Sequence, residues 1–99
     1  ITVADDGLKA VKLIQSQQFD IIFMDIDMPI MNGIECTKVI RNSGINAMNR
    51  FVPIIAVTTN SKEEDLKLYK TIGMNGHIQK PFEFDSLVKY LNYAVKLKL

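Results

Sequence analysis

The sequence predicts an α/β protein organised around a parallel sheet, with helices as the crossovers between strands. Three observations carry that prediction. Apolar runs such as Ile21-Ile22-Phe23-Met24 alternate along the chain with segments of helical apolar spacing. A continuous run of that kind suits a parallel strand covered on both faces, and strands separated by helices imply right-handed crossovers. Finally, three runs end on a reactive residue: Phe23-Met24-Asp25, Ile55-Ala56-Val57-Thr58 and His77-Ile78-Gln79-Lys80. In neighbouring parallel strands those ends line one crevice, which is where open α/β sheets bind ligands.

Taken in order, Ile1 to Ala4 reads as a strand remnant, and Asp6 as the N-cap of a helix from Gly7 to Ser16, because a short acidic side chain accepts from an orphan backbone N–H. Asp20 to Asp25 is a fully buried strand and Ile34 to Arg41 a helix. After the polar loop Asn42 to Arg50 comes a strand from Pro53 to Thr58. Ser61-Lys62-Glu63-Glu64 has capping-box spacing, so a helix should run from Lys62 to about Ile72, with Gly73 as its stop. A short strand, His77 to Lys80, leads through Pro81 into the last helix. There Phe84, Leu87, Val88, Leu91 and Val95 recur at helical spacing and should face the sheet, with Lys89, Asn92 and Lys96 on the other side.

Composition bounds the possibilities. Ninety-nine residues with 47% hydrophobic content support one core, hence a single domain over residues 1–99. A formal net charge of +1 gives no nucleic-acid signal, since backbone binding needs several clustered cations. Lys89, Lys96 and Lys98 read as solvated positions. Cys36 is alone and inside a helix, which argues against a disulfide framework and for a reducing, cytoplasmic setting. The longest apolar stretches fall far short of a bilayer span, so no membrane insertion is expected, although the domain could be tethered to a membrane kinase.

The reactive residues suit phosphoryl chemistry. Asp25 is an oxygen nucleophile able to carry a phosphoryl group as an acyl phosphate. The transferred group spreads negative charge over its equatorial oxygens, so a cation, an ammonium and a hydroxyl donor belong around it; Lys80 and Thr58 supply the last two. Taken singly, an Asp at a strand end is a turn former and a lysine a solvated side chain. Only the ordered combination is specific. Met24, Met28, Met31, Met48 and Met74 read as core or loop fillers. Tyr69, Tyr90 and Tyr93 read as half-buried helix residues.

The run Asp25-Ile26-Asp27-Met28-Pro29-Ile30-Met31-Asn32-Gly33, followed by Pro53-Ile54-Ile55-Ala56-Val57-Thr58 and by Gly73-Met74-Asn75-Gly76-His77-Ile78-Gln79-Lys80-Pro81-Phe82, resembles the receiver domain of two-component response regulators and hybrid histidine kinases. Val3-Ala4-Asp5-Asp6-Gly7 with Ala10 resembles that family's second strand and the turn into its second helix. The resemblance implies a flavodoxin-like, CheY-like, doubly wound parallel sheet. It also implies that the chain is N-terminally incomplete, lacking the first strand, which lies between the second and third, and the first helix. The acidic pair that holds Mg²⁺ in the family belongs to that absent segment.

The resemblance further implies roles. Asp25 is the phosphoacceptor, receiving the group from a phosphohistidine of a histidine kinase or histidine phosphotransfer protein with Mg²⁺ as cofactor. Asp25 and the backbone carbonyl of Asp27 are metal ligands. The Asp27 side chain, Thr59 and Asn60 tune the lifetime of the acyl phosphate, and Thr59, where the family commonly has a smaller residue, narrows access. Lys80 pairs with the phosphoryl group, the Lys80-Pro81 bond is cis, and Thr58 moves to bond a phosphoryl oxygen. His77 stands where the family usually has an aromatic switch residue, and the last two helices, Tyr90 included, form the partner face. The product stays on the domain's own side chain, so the domain is not counted as an enzyme. A chain ending in Lys96-Leu97-Lys98-Leu99 without an output domain leans toward a hybrid kinase or phosphorelay component.

Two other readings compete. One is a receiver fold that is never phosphorylated and serves as a binding module. The other is a haloacid-dehalogenase-type phosphohydrolase, which Asp25-x-Asp27, Thr58 and Lys80 also resemble. That family needs a further acidic motif at a later strand end, and here Glu83 and Asp85 open a helix instead.

Overall fold

The computed structural model describes residues 6–28, 31–42, 51–59 and 62–98. Ile1 to Asp5, Pro29, Ile30, residues 43–50 with Met48, Asn60, Ser61 and Leu99 lie outside the described residues. The elements run α1 (Gly7–Ser16), β1 (Ile22–Asp25), α2 (Gly33–Arg41), β2 (Ile54–Thr58), α3 (Glu63–Thr71), β3 (Gly76–Gln79) and α4 (Phe84–Lys98). The three described strands form a parallel sheet in the order β1-β2-β3. Helix and strand alternate as the apolar periodicity predicts, and the architecture is the flavodoxin-like α/β fold.

Local chemistry sets the helix ends. Asp6 caps α1, its carboxylate accepting from Lys9 N at 2.9 Å, and Asn32 caps α2 by accepting from Glu35 N at 3.0 Å. Gly73 stops α3 with φ of 107°, a left-handed conformation that favours glycine. Gly73 N bonds Lys70 O and Met74 N bonds Tyr69 O, the pair of contacts that closes a Schellman motif. The start of α3 differs from expectation. Its N-cap is Lys62, with no side-chain cap bond, and Glu63, Glu64 and Asp65 instead place negative charge in the first turn.

Strand β2 is buried along its whole length, with Ile54, Ile55 and Ala56 fully inaccessible. Strand β1 is shorter and less covered than the sequence suggests: pairing begins at Ile22, whose N–H reaches Pro53 O at 2.8 Å, and only Met24 is fully buried. It sits at the edge of the three described strands, so fewer neighbours cover it. The last ladder residue of β3 is Gln79, and Lys80 N turns back to Thr58 O at 2.7 Å. Cys36, Ile40, Ile54 and Met74 join Met24 in the core.

Helix α4 corrects an expectation. Ala94 is buried and Leu87, Val88 and Tyr90 are half-buried, whereas Phe84, Leu91 and Val95 are 71%, 42% and 60% exposed. The cause is the seat of Tyr90. A Cβ at Gly76 would stand 2.7 Å from the Tyr90 ring, so the ring fills the space the glycine leaves and its hydroxyl donates to His77 O at 3.3 Å. Docking through Tyr90 and the small Ala94 rotates the Phe84-Leu91-Val95 stripe outward. Lys89, Asn92 and Lys96 are exposed.

Burial pushes the Cys36 thiol up to about 11 from its ordinary 9.0, because the thiolate would lose its hydration. Above pH 9 the unfolded chain gives up this proton while the folded chain keeps it, so folding stability from this group is complete below that pH and falls as pH rises toward the folded value. Denaturant titrations at about pH 8 and about pH 10.5 should therefore show a smaller alkaline loss of stability in Cys36→Ala than in the parent. Equal losses would show that Cys36 does not carry this linkage.

Candidate functional site

The parallel register brings the carboxyl ends of the strands together. Asp25 closes β1 opposite Val57, Thr58 closes β2 opposite Gln79, and Lys80 follows directly on β3. Across this edge Lys80 Nζ stands 2.8 Å from Asp25 Oδ2. The other carboxylate oxygen, Oδ1, accepts from Asp27 N at 2.9 Å. Held at both oxygens, the carboxylate has one orientation while its side chain remains 42% exposed, and that of Lys80 31%. An accessible, oriented carboxylate beside an ammonium can attack an incoming phosphorus and share the resulting charge.

The strand end is held in place by main-chain contacts. Ile26 N donates to Val57 O at 3.0 Å, and Gly33 N donates to Ile26 O at 3.2 Å, tying the Asp25 loop to β2 and to the start of α2. A Cβ on Gly33 would come within 2.5 Å of Asp25 O, so only glycine lets α2 approach the strand end this closely. On the other side, the Lys80-Pro81 peptide bond is cis.

The remaining predicted residues lie at different depths. Thr58 is 1% exposed at the end of β2, and Thr59 beside it is exposed. The Asp27 side chain is exposed next to the Asp25 carboxylate. Asn60 lies outside the described residues. His77 is not gathered into the Asp25–Lys80 contact: it is exposed on β3 opposite Ala56, and lines a surface cleft between α3 and β3. Glu83 precedes α4 and Asp85 lies in its first turn, so neither ends a strand as the hydrolase reading needs.

The donors suit a hard cation. The Asp25 carboxylate and the Asp27 carbonyl offer oxygen donors, and Mg²⁺ typically takes one or two carboxylates, waters and a substrate phosphate rather than an all-protein cage. Among the described residues no group of three His, Cys, Asp or Glu side chains could hold a metal alone. Asp5 lies outside those residues, and Asp6 is engaged as the α1 cap. Asp25 and Asp27 thus fit part of a Mg²⁺ shell.

The model of the response regulator receiver domain matches residues 1–92. This chain belongs to that family. Among its relatives, the receiver domain is 43% identical over 93 residues to the transcription factor SKN7 of Chaetomium thermophilum, and 40% identical over 88 residues to the CAI-1 autoinducer sensor kinase/phosphatase CqsS of Vibrio cholerae. Those matches take in 92% and 89% of the chain but 12% of each relative, so the receiver domain spans about an eighth of the proteins it resembles. Among solved structures, the receiver domain of the sensor histidine kinase PA1611 of Pseudomonas aeruginosa superposes with a TM-score of 0.83 at 34% identity. That likeness covers 96% of this chain and 75% of the other, and the PA1611 structure has a magnesium ion in its active-site cleft. No helix among the described residues of the receiver domain is long and apolar enough to cross a membrane.

Sequence reasoning missed two features. Arg41 at the end of α2 donates to Gly73 O from Nε and Nη2 at 3.1 and 2.7 Å, and from Nη2 to Asn75 Oδ1 at 3.1 Å. Asn75 Oδ1 also accepts from Ile54 N at 2.9 Å, so the pair fastens the α3–β3 turn to the start of β2. The second is Tyr69, buried at 4% with its hydroxyl 3.5 Å from Thr58 Oγ1. Its signal was present: Leu66, Tyr69 and Ile72 recur at helical spacing, and a buried tyrosine hydroxyl normally has a polar neighbour.

Proposed function

We propose that this domain accepts a phosphoryl group on Asp25 from a phosphohistidine of a histidine kinase or histidine phosphotransfer protein, and changes its surface in response. The observation that carries the reading is the 2.8 Å contact between Lys80 Nζ and an oriented, accessible Asp25 carboxylate at the carboxyl edge of the sheet. One Asp25 oxygen forms a bond to phosphorus as the phosphorus–nitrogen bond to the donor imidazole breaks. Lys80 turns its ammonium to the phosphoryl oxygens, and the Thr58 hydroxyl donates to one of them. Bound Mg²⁺, held by the Asp25 carboxylate and the Asp27 carbonyl, would neutralise phosphoryl charge. Thr59, exposed next to Thr58, limits access, the Asp27 side chain and Asn60 tune survival of the acyl phosphate, and His77 follows Thr58 as the outward switch residue.

The test is intact-mass spectrometry of the native protein after incubation with Mg²⁺ and a small-molecule phosphodonor. A base-labile phosphoryl adduct that maps to Asp25 is expected. An unmodified chain would move the reading to a receiver fold that binds partners without phosphorylation.

Lys80→Ala separates acceptance from switching. Removing the ammonium should slow phosphoryl acceptance on the order of tenfold, the lower end of what a charge-assisted hydrogen bond contributes. It should reduce more heavily the difference in partner affinity between phosphorylated and unphosphorylated forms. Comparing labelling rates with partner binding of both forms checks this. A variant that labels slowly yet switches fully would remove Lys80 from the switch.

A further inference from the structure

The hydroxyl pair beneath the site suggests how Thr58 is held when Asp25 carries no phosphoryl group. Thr58 and Tyr69 are both buried, at 1% and 4% exposure, and their hydroxyl oxygens are 3.5 Å apart. Tyr69 comes from α3, so its hydroxyl approaches Thr58 from the helix side. The proposed phosphoryl site is at the strand ends, where Thr58 stands one residue beyond Val57, the register partner of Asp25. The Tyr69 ring also borders the α3–β3 cleft of about 440 Å³, together with Leu66, Met74, Gly76 and His77. One residue thus touches the buried threonine and the surface cleft.

We infer that Tyr69 is a positioning residue for the switch. Its hydroxyl restrains Thr58 toward α3 in the unphosphorylated protein, and transfer of the Thr58 hydroxyl to the phosphoryl group frees the Tyr69 ring to rearrange the α3–β3 cleft beside His77. Magnitudes favour this direction. A hydroxyl pair at 3.5 Å lies beyond the usual range for such bonds and is weak, whereas a bond to a phosphoryl oxygen is charge-assisted and about twice as strong as a neutral one. The restraint therefore yields once Asp25 is phosphorylated and holds before. This inference rests on Asp25 being the phosphoacceptor.

The experiment uses the full native protein, with beryllofluoride and Mg²⁺ as the phosphoryl mimic and calorimetry to read affinity. Tyr69→Phe keeps the ring and removes the restraint, so it should tighten beryllofluoride binding roughly two- to fivefold, less than a full net hydrogen bond carries. In a Thr58→Val background the same substitution should change nothing, an outcome that a merely structural role for Tyr69 does not predict. Fluorotyrosine incorporated at Tyr69, which retains the hydroxyl, gives a second readout should Tyr69→Phe fail to fold. Its fluorine resonance should shift with beryllofluoride in the parent and stay in place in Thr58→Val. Unchanged or weaker affinity in Tyr69→Phe, a gain that persists in Thr58→Val, or an unmoved resonance would overturn the inference while leaving phosphorylation of Asp25 intact. A parent protein that neither binds beryllofluoride nor takes a phosphoryl group would overturn both.

Discussion

Asp25→Asn should reduce phosphoryl acceptance to background while the fold persists. The carboxamide is close to the same shape but lacks the anionic oxygen that attacks phosphorus. Its oxygen can still accept from Asp27 N, so the turn after β1 keeps its bond. What is lost is the charge opposite Lys80. That pair is part-exposed and screened by solvent, and exposed pairs contribute only about 0–1 kcal/mol, so the unfolding midpoint should move little. Parent and variant would be incubated with a phosphorylated histidine phosphotransfer protein, followed by intact mass and by denaturant titration. Equal labelling of the two would sink the assignment of Asp25 as the nucleophile, and a large fall in stability would mean the ion pair matters more to the fold than its exposure implies.

Gly33→Ala should damage stability and chemistry together. The added Cβ would lie 2.5 Å from Asp25 O, 2.9 Å from Met24 Cγ and 3.0 Å from Asp25 C. The nearest of these atoms is backbone and cannot rotate aside as a flexible side chain could. Either α2 retreats, loosening Cys36, Thr37 and Ile40 from the core, or the end of β1 shifts and carries Asp25 away from Lys80. Overpacking of this kind typically costs roughly 1–3 kcal/mol. Denaturant titration should show that loss, and adduct yield under native conditions should fall with it. A variant of parental stability and parental labelling would show that α2 has room to move without disturbing the strand end.

Much of the fold was legible because its signals are local. The span of α1 follows from a capping aspartate and apolar spacing, and the stop of α3 from a glycine whose left-handed backbone ends the helix. The candidate site was legible for a related reason. Asp25, Thr58 and Lys80 each end an apolar run, and parallel pairing turns three separate sequence positions into one edge. The α3 start was misplaced by one residue because the capping-box pattern at Ser61 and the acidic first turn after Lys62 compete at adjacent positions.

Other features depend on which surfaces meet. In α4 nearly every turn offers apolar residues on more than one side, so periodicity cannot choose the buried stripe; the fit of Tyr90 over Gly76 chooses it and leaves Phe84, Leu91 and Val95 exposed. The hydrogen bonds of Arg41 to Gly73 and Asn75 link residues more than thirty positions apart, and no local pattern announces them. By itself the sequence determined the order of elements, the Asp6 cap of α1, the Gly73 stop of α3 and the strand-end positions of Asp25, Thr58 and Lys80, because these follow from local propensity and from the alternation of strands with helices. Tertiary structure alone decided the contact of Lys80 with Asp25, the reach of Tyr69 to Thr58 and the outward turn of His77, because each depends on distances between elements that the chain brings together only on folding.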